Sequence, residues 1–206
     1  ENGAVSFRDF SRKMPAFSKS RAVLAGCGMT DCTDTGNIIA ELINHGGYRL
    51  IIDADGLNSI KDRPEILKNA ALPPIITPHI GEMSRLTGAS TDAIKSDREK
   101  TAAEFSRKYN CITVLKDCKT VISSPEGKLF VCDRPNAGLA KGGSGDVLSG
   151  IISSFAAQGY DAFDAAVCGA ALHSLAAESA REKLTEYSML PSDIVAEIPG
   201  VFARIG

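Results

Sequence analysis

The chain has 206 residues, with 23 Lys plus Arg against 25 Asp plus Glu and a net charge of −2. At 44% hydrophobic and 23% charged it carries enough apolar side chains for a sizeable core, which excludes disordered, collagenous and coiled-coil readings. The near-neutral balance lacks the basic footprint that phosphate neutralisation requires, so no nucleic-acid partner is expected.

The longest apolar stretches, such as Ile151 to Ala157, are interrupted by Ser153 and Ser154 and fall far short of the roughly 20 residues a bilayer span needs. The start, Glu1-Asn2-Gly3, lacks the basic then apolar run of a secretory signal. No membrane partner and a cytoplasmic location are therefore expected. Six cysteines, none in a Cys-x-x-Cys pair, read as reduced thiols. Cys27 and Cys32 lie in a polar, Gly-containing loop, but no second pair completes a tetrahedral set, so no protein-held metal is expected.

In chain order, Arg21 to Ala25 predicts a strand, followed by a Gly-containing loop and a helix over Thr35 to Asn44. Tyr48 to Ile52 is a continuous apolar run of the kind buried on both faces of a parallel sheet. It ends at Asp53-Ala54-Asp55. Ile75 to Thr77 predicts a short strand before Pro78, with a helix from about Gly81. Thr91 is expected to cap one helix reaching Tyr109, on a stripe of Ile94, Ala102, Phe105 and Tyr109. Strands follow at Cys111 to Leu115, Thr120 to Ser123 and Lys128 to Cys132. The last two form an antiparallel hairpin around Pro125-Glu126-Gly127. An apolar helix carries Val147, Leu148, Ile151, Ile152 and Phe155 and closes at Gly159. Asp161 opens an Ala-rich helix to about Arg181, and a final helix covers Ser192 to Arg204. Alternating strands and helices predict one α/β domain over residues 1–206, its first 20 residues poorly defined.

The segment with most chemistry is Asn136 to Asp146 (NAGLAKGGSGD), running straight into the apolar helix. Its four glycines let backbone N–H groups converge without Cβ obstruction, at the positive end of a helix dipole. That is a phosphate-sized anion hole, and it is not a Walker loop. A carboxylate beside such a hole repels the anion, unless Asp146 takes a proton from a substrate hydroxyl that then attacks phosphorus. An Asp that merely caps the helix is the other reading.

AGLAKGGSGDVLSGIISSFAAQG resembles the signature of ribokinase-like proteins, specifically the ADP- or ATP-dependent NAD(P)H-hydrate dehydratases. IIDADGLN, PIITPHIGEMSRLTG, VLKDCKTVISSPEGKLFV and YSMLPSDIVAEIP agree with it in order, from about Arg21 to the end. The resemblance implies a ribokinase-like α/β fold with a mostly parallel sheet, and repair of hydrated NADH or NADPH. ATP or ADP, with Mg²⁺, phosphorylates the ring hydroxyl, and phosphate elimination restores the cofactor. It makes Asp146 the catalytic base and a substrate contact, with Gly143, Ser144 and Gly145 as the anion hole. Gly26, Gly28 and His79 become further substrate contacts. Lys116, Asp117, Cys118, Lys119 and Thr120, with Asn136 and Gly145, become nucleotide contacts.

Some positions depart from the family pattern. Cys27 stands inside a Gly-Leu-Gly motif, Asp117 and Cys118 replace smaller residues, and Lys141 stands where Thr is common. Glu82 is a weaker candidate that caps or orients. Asp53, Asp55 and Asn58 are positioned either to hold Mg²⁺ through waters or, for Asp53, to cap a helix. The resemblance also implies a homo-oligomer of four or more chains, and an N-terminal segment without counterpart before Arg21. An exposed sheet edge and an incomplete pocket are expected unless a partner covers them. A ribokinase-fold small-molecule kinase and a non-catalytic nucleotide-binding remnant are the alternatives.

Overall fold

The computed structural model describes residues 5–17 and 19–205. Six strands, β1 (Ala22–Ala25), β2 (Arg49–Ile52), β3 (Ile75–Ile76), β4 (Ile112–Leu115), β5 (Thr120–Ser123) and β6 (Leu129–Cys132), form one sheet in chain order. β1 through β4 run parallel, whereas β4 with β5 and β5 with β6 are antiparallel. The sequence reading expected only the second of those antiparallel pairs. The first arises because Lys116 to Lys119 alone join β4 to β5, far too short for the crossover a parallel pair requires.

Eleven helices or helical turns bracket the strands among the described residues, and those that place the site are α1 (Phe7–Phe17), α2 (Thr33–Asn44), α3 (Ala54–Asn58), α4 (Ile80–Thr87), α5 (Thr91–Ser96), α6 (Arg98–Tyr109), α7 (Ser144–Ala157), α8 (Ala162–Ser188) and α9 (Pro191–Ile205). Alternation along the strands sends side chains to both faces. Val23, Ala25, Leu50 and Ile52 pack with Ile38 and Leu42 of α2, Met83 of α4 and Phe105 of α6. Ile51, Ile75, Val114 and Ile122 pack on the other face with Leu148 and Ile152 of α7 and the alanines of α8. α9 lies outside α8, seated through Ile194 and Val201. No helix among the described residues is long and apolar enough to cross a membrane.

Three details differ from expectation. Phe7, Phe10, Met14 and Phe17 make α1 an amphipathic helix packed on the α2 layer, and Phe7 N–H donates to Asp34 Oδ2 at 3.1 Å. Residues 1–4 and 18 of that segment lie outside the described residues. The helix expected over Thr91 to Tyr109 is two helices. Ser90 caps the first and Asp97 the second, accepting from Lys100 N–H at 3.1 Å in a non-helical conformation. α8 continues past Arg181 to Ser188, with Thr185 at φ 63° marking a kink before α9.

α7 reaches the sheet only because α8 lets it approach. A methyl group on Gly169 of α8 would lie 2.5 Å from Ile152 Cγ1 and 3.1 Å from Ile152 Cα. Gly169→Ala therefore forces the two helices apart and is expected to lower stability by about 1–3 kcal/mol, the usual cost of overpacking. Equilibrium denaturation measures it, and an unchanged midpoint would contradict the close seating.

Candidate active site

Because β1 to β4 are parallel, their C-terminal ends share one edge, and the chain segments that leave them stay clipped together. Asp53 N–H donates to Ala25 O at 3.1 Å, Thr77 N–H to Ile52 O at 3.1 Å and Lys116 N–H to Pro78 O at 2.8 Å. Gly26, at φ 118°, follows β1 so closely under the β2 exit that a Cβ would sit 1.9 Å from Asp53 O. Only glycine fits there. Gly28, at φ 66°, faces open space further along the same loop.

Asp53 ends β2 and is 1% exposed. It caps α3, its Oδ1 accepting from Ala54 N–H at 2.9 Å and from Lys116 Nζ at 2.8 Å. Its Oδ2 is buried without a hydrogen-bond partner among the described residues. Asp55 and Asn58, the other two residues proposed for magnesium, are committed elsewhere: Asp55 Oδ2 accepts from Thr30 N–H at 2.8 Å and Asn58 Oδ1 from Arg85 Nε at 2.8 Å. Of that trio, only Asp53 keeps a buried oxygen without a partner.

The first turn of α7 lies over this edge. Gly143, at φ 93°, is its N-cap and supplies no side chain. The first helical rung is Val147 N–H to Gly143 O, which leaves the Gly145 and Asp146 amides without an intrahelical acceptor. Ser144 N–H is used differently, donating to Lys141 O at 3.2 Å, so its backbone contributes less to an anion hole than its position implied. A methyl on Gly145 would lie 3.2 Å from Lys116 Nζ and 3.8 Å from Asp53 Oδ2. Asp146 is exposed and does not cap the helix. Its carboxylate, a carboxylate oxygen of Asp53 and the thiol of Cys27 all lie within 4.8 Å of one another. The Cys27–Cys32 pairing weighed from sequence is not what forms, since Cys32 Sγ contacts Thr35 Oγ1 at 3.4 Å. Burial, then the charges of Asp53 and Asp146, push the Cys27 thiol up to about 11 despite its contact with Ser149.

On the other side of Gly145 opens a cavity of about 880 Å³. His79, Lys116, Asp117, Cys118, Thr120, Asn136, Ser144 and Gly145 line it, as do Leu139 and His173. Gly26, Gly28, Lys119, Gly143 and Asp146 do not line it. Several of the proposed contacts also have structural duties. His79 Nδ1 accepts from Gly81 and Glu82 N–H at 2.9 and 3.2 Å while Glu82 Oε2 accepts from His79 N–H at 2.8 Å, a complete capping box for α4. The ring is half exposed, and that bonding pattern assigns its proton to Nε2. Asn136 Oδ1 accepts from Gly138 N–H and its Nδ2 donates to Ala177 O. Asp117 pairs with Arg98; partial burial raises its carboxyl, but the Arg98 hydrogen bond and charge leave it below the usual value. Lys119 pairs with Asp133, whose hydrogen bond raises the ammonium. Lys141 Nζ donates to Glu186 O, Tyr187 O and Met189 O, so it clamps the α8–α9 junction against the glycine loop and is occupied there.

A mostly parallel sheet covered on both faces, with a glycine-rich helix start over its C-terminal edge, defines a ribokinase-like α/β protein. The chain belongs to the NAD(P)H-hydrate dehydratase family, whose sequence profile matches residues 4–200. It is 37% identical over 164 residues to an ADP-dependent (S)-NAD(P)H-hydrate dehydratase of Neisseria meningitidis serogroup B, covering 78% of this chain and 55% of that protein. It is 32% identical over 203 residues to the bifunctional NAD(P)H-hydrate repair enzyme Nnr of Moorella thermoacetica, covering 98% of this chain and 38% of that protein. A solved structure of ADP/ATP-dependent NAD(P)H-hydrate dehydratase from Bacillus subtilis, co-crystallised with ATP/Mg²⁺, superposes with a TM-score of 0.81 at 27% identity, covering 90% of this chain and 65% of that one. The chain thus spans between 38% and 65% of the length of these relatives.

His173 is the cavity residue that sequence reasoning missed. It is 6% exposed, its Nε2 has no partner, and Ser144 Oγ beside the same cavity is likewise buried and unpartnered. Burial lowers its pKa from 6.5 to about 4, against the raising effect of a hydrogen bond to the Ser144 backbone, with the Lys116 charge lowering it further. Between those two values the unfolded chain binds a proton that the folded chain refuses, so stability is full above the upper value and is lost as pH falls through the window. Thermal melts from pH 7 to pH 4 are expected to show this fall. In His173→Gln the fall should be shallower, by up to about 3 kcal/mol at the acid end. Parallel curves for the two proteins would contradict a buried neutral imidazole.

Proposed function

We propose that this chain carries out the nucleotide-dependent dehydration of hydrated NADH or NADPH. The observation that carries the reading is Asp146, a solvent-facing carboxylate in the first turn of α7, released from capping and set beside amides that have no acceptor. Family membership and the names of the relatives support the substrate and the nucleotide.

The glycine turn separates two compartments. The cavity side, with Lys116, Thr120 and Asn136, receives ATP or ADP, and the Gly26 to Gly28 side receives the hydrated nicotinamide. Asp146 takes the proton of the ring hydroxyl, and the hydroxyl oxygen forms a bond to the terminal phosphorus as its bridging P–O bond breaks. The Gly145 and Asp146 amides and the Lys116 ammonium stabilise the transferring phosphoryl. The C–O bond then breaks, phosphate leaves, and loss of a ring proton restores the dihydropyridine. Mg²⁺ arriving with the nucleotide would neutralise phosphate charge, and Asp53 Oδ2, buried and without a partner among the described residues, would be the protein oxygen to hold it.

The same reading includes a cytoplasmic location and assembly into an oligomer of four or more chains. The exposed Val195, Phe202 and Ile205 of α9 offer apolar surface for such an assembly.

Incubation with hydrated NADH, Mg²⁺ and either nucleotide is expected to restore absorbance in the reduced-nicotinamide band. Release of a stable phosphoester without that recovery would point to a small-molecule kinase instead. Asp146→Asn is expected to lower turnover by about 10²–10⁴-fold, the usual contribution of a positioned base, with nucleotide affinity largely kept. Turnover equal to the unaltered protein would remove Asp146 from the mechanism.

A further inference from the structure

We propose that Cys27, Asp53 and Asp146 form a binding site for a divalent cation of the zinc class, which takes this corner in preference to magnesium when no nucleotide is bound. Three ligand atoms of suitable type, one sulfur and two carboxylate oxygens, already lie within 4.8 Å of one another, brought together from the β1 loop, the end of β2 and the first turn of α7. At tetrahedral angles, Zn–S bonds of about 2.3 Å and Zn–O bonds of about 2.0–2.2 Å place ligand atoms roughly 3.4–3.6 Å apart, so the set needs to contract by no more than about 1.4 Å. Rotation of the exposed Asp146 side chain supplies that movement.

The independent sign that this corner wants a cation is Asp53. The residue is 1% exposed, and its Oδ2 has no hydrogen-bond partner. Lys116 Nζ and Ala54 N–H both bind Oδ1, so neither competes for the free oxygen. A buried carboxylate oxygen without a donor is costly, and a metal ion is one of the few groups that offsets the cost. The Lys116 ammonium opposes a second cation nearby, but it is outnumbered by two carboxylates, and a thiolate adds a third negative ligand on binding.

The sulfur decides which metal. Magnesium demands six hard oxygen ligands in octahedral array and binds thiolate poorly, whereas zinc accepts a mixed sulfur and oxygen set at four-coordination, with water in the fourth place. Binding replaces the S–H bond of Cys27 by an S–Zn bond and releases that proton to solvent. It also engages Asp146. If the function proposed above holds, zinc and the proton-abstracting role of Asp146 exclude one another.

Isothermal titration of the purified chain with Zn²⁺ and with Mg²⁺, without nucleotide or nicotinamide, tests the site independently of any turnover. One Zn²⁺ per chain is expected, with close to one proton released when buffers of different ionisation enthalpy are compared, and much weaker Mg²⁺ binding. Cys27→Ser and Asp146→Asn should each weaken Zn²⁺ by more than about tenfold, since even outer partners of a metal site are worth ~10–100-fold. Cys118→Ser, at an exposed cysteine outside the cluster, should bind as the unaltered chain does. With Co²⁺ as the probe, a near-ultraviolet sulfur-to-metal band should appear and vanish in Cys27→Ser. Zinc affinity unchanged in Cys27→Ser, or a cobalt band that survives it, would overturn the proposal. Failure of the turnover assay alone would count against the dehydratase reading and leave the metal site standing.

Discussion

The buried pair of Asp53 and Lys116 is the interaction on which the site depends. Asp53 leaves β2 and Lys116 leaves β4, and their 2.8 Å contact reaches across the end of β3, the shortest strand in the sheet. Removing Lys116 would leave the buried Asp53 carboxylate uncompensated, so the two strand ends are held in register more firmly than two-residue β3 alone would hold them. The pair also sets how near α7 can come. Gly145 fits over it with no Cβ, at the distance where a methyl would press on the ammonium.

The helix start is fixed from three directions. Below it lies the charged pair. Behind it, Leu148 and Ile152 seat α7 on the apolar face shared with Ile51, Ile75 and Val114. Beside it, Lys141 spends its three donors on the last carbonyls before α9, and Gly138 leaves room for the Met189 sulfur, which a Cβ would meet at 2.2 Å. Surplus rigidity of this kind is what preorganised amides need, because donors that must reorganise around an anion stabilise it less.

Much of this was legible in the sequence, and the gaps have identifiable causes. Apolar runs such as YRLII and the glycine signature are local, so β2 and the α7 start could be read directly. Asp53 capping α3 and Glu82 completing a capping box were foreseen as possibilities because caps obey short-range rules. The break at Asp97 was hidden because Ile94 and Phe105 keep to one apolar stripe across it. The Asp53–Lys116 pair joins residues 63 positions apart, and His173 sits in an alanine-rich helix with no polar neighbour at helical spacing to mark it. The role of Lys141 was not legible because nothing local shows that its carbonyl targets lie beyond residue 185.

Under the proposed function a carboxylate stands beside an anion hole, which poses an electrostatic conflict. One ammonium faces two carboxylates at this corner, and the helix terminus adds only about half a positive charge. An arriving phosphate therefore meets a corner that does not by itself neutralise it. On the proposed function, a phosphate that drew on Lys116 would loosen the partner of Asp53 and leave its oxygens open to a cation travelling with that phosphate. Anion and cation would then favour each other's arrival, because Asp53 Oδ2 has no protein donor among the described residues. On the proposed function, that negative excess would favour phosphate that comes with its metal, and it leaves Asp146 without a paired cation, as a base requires.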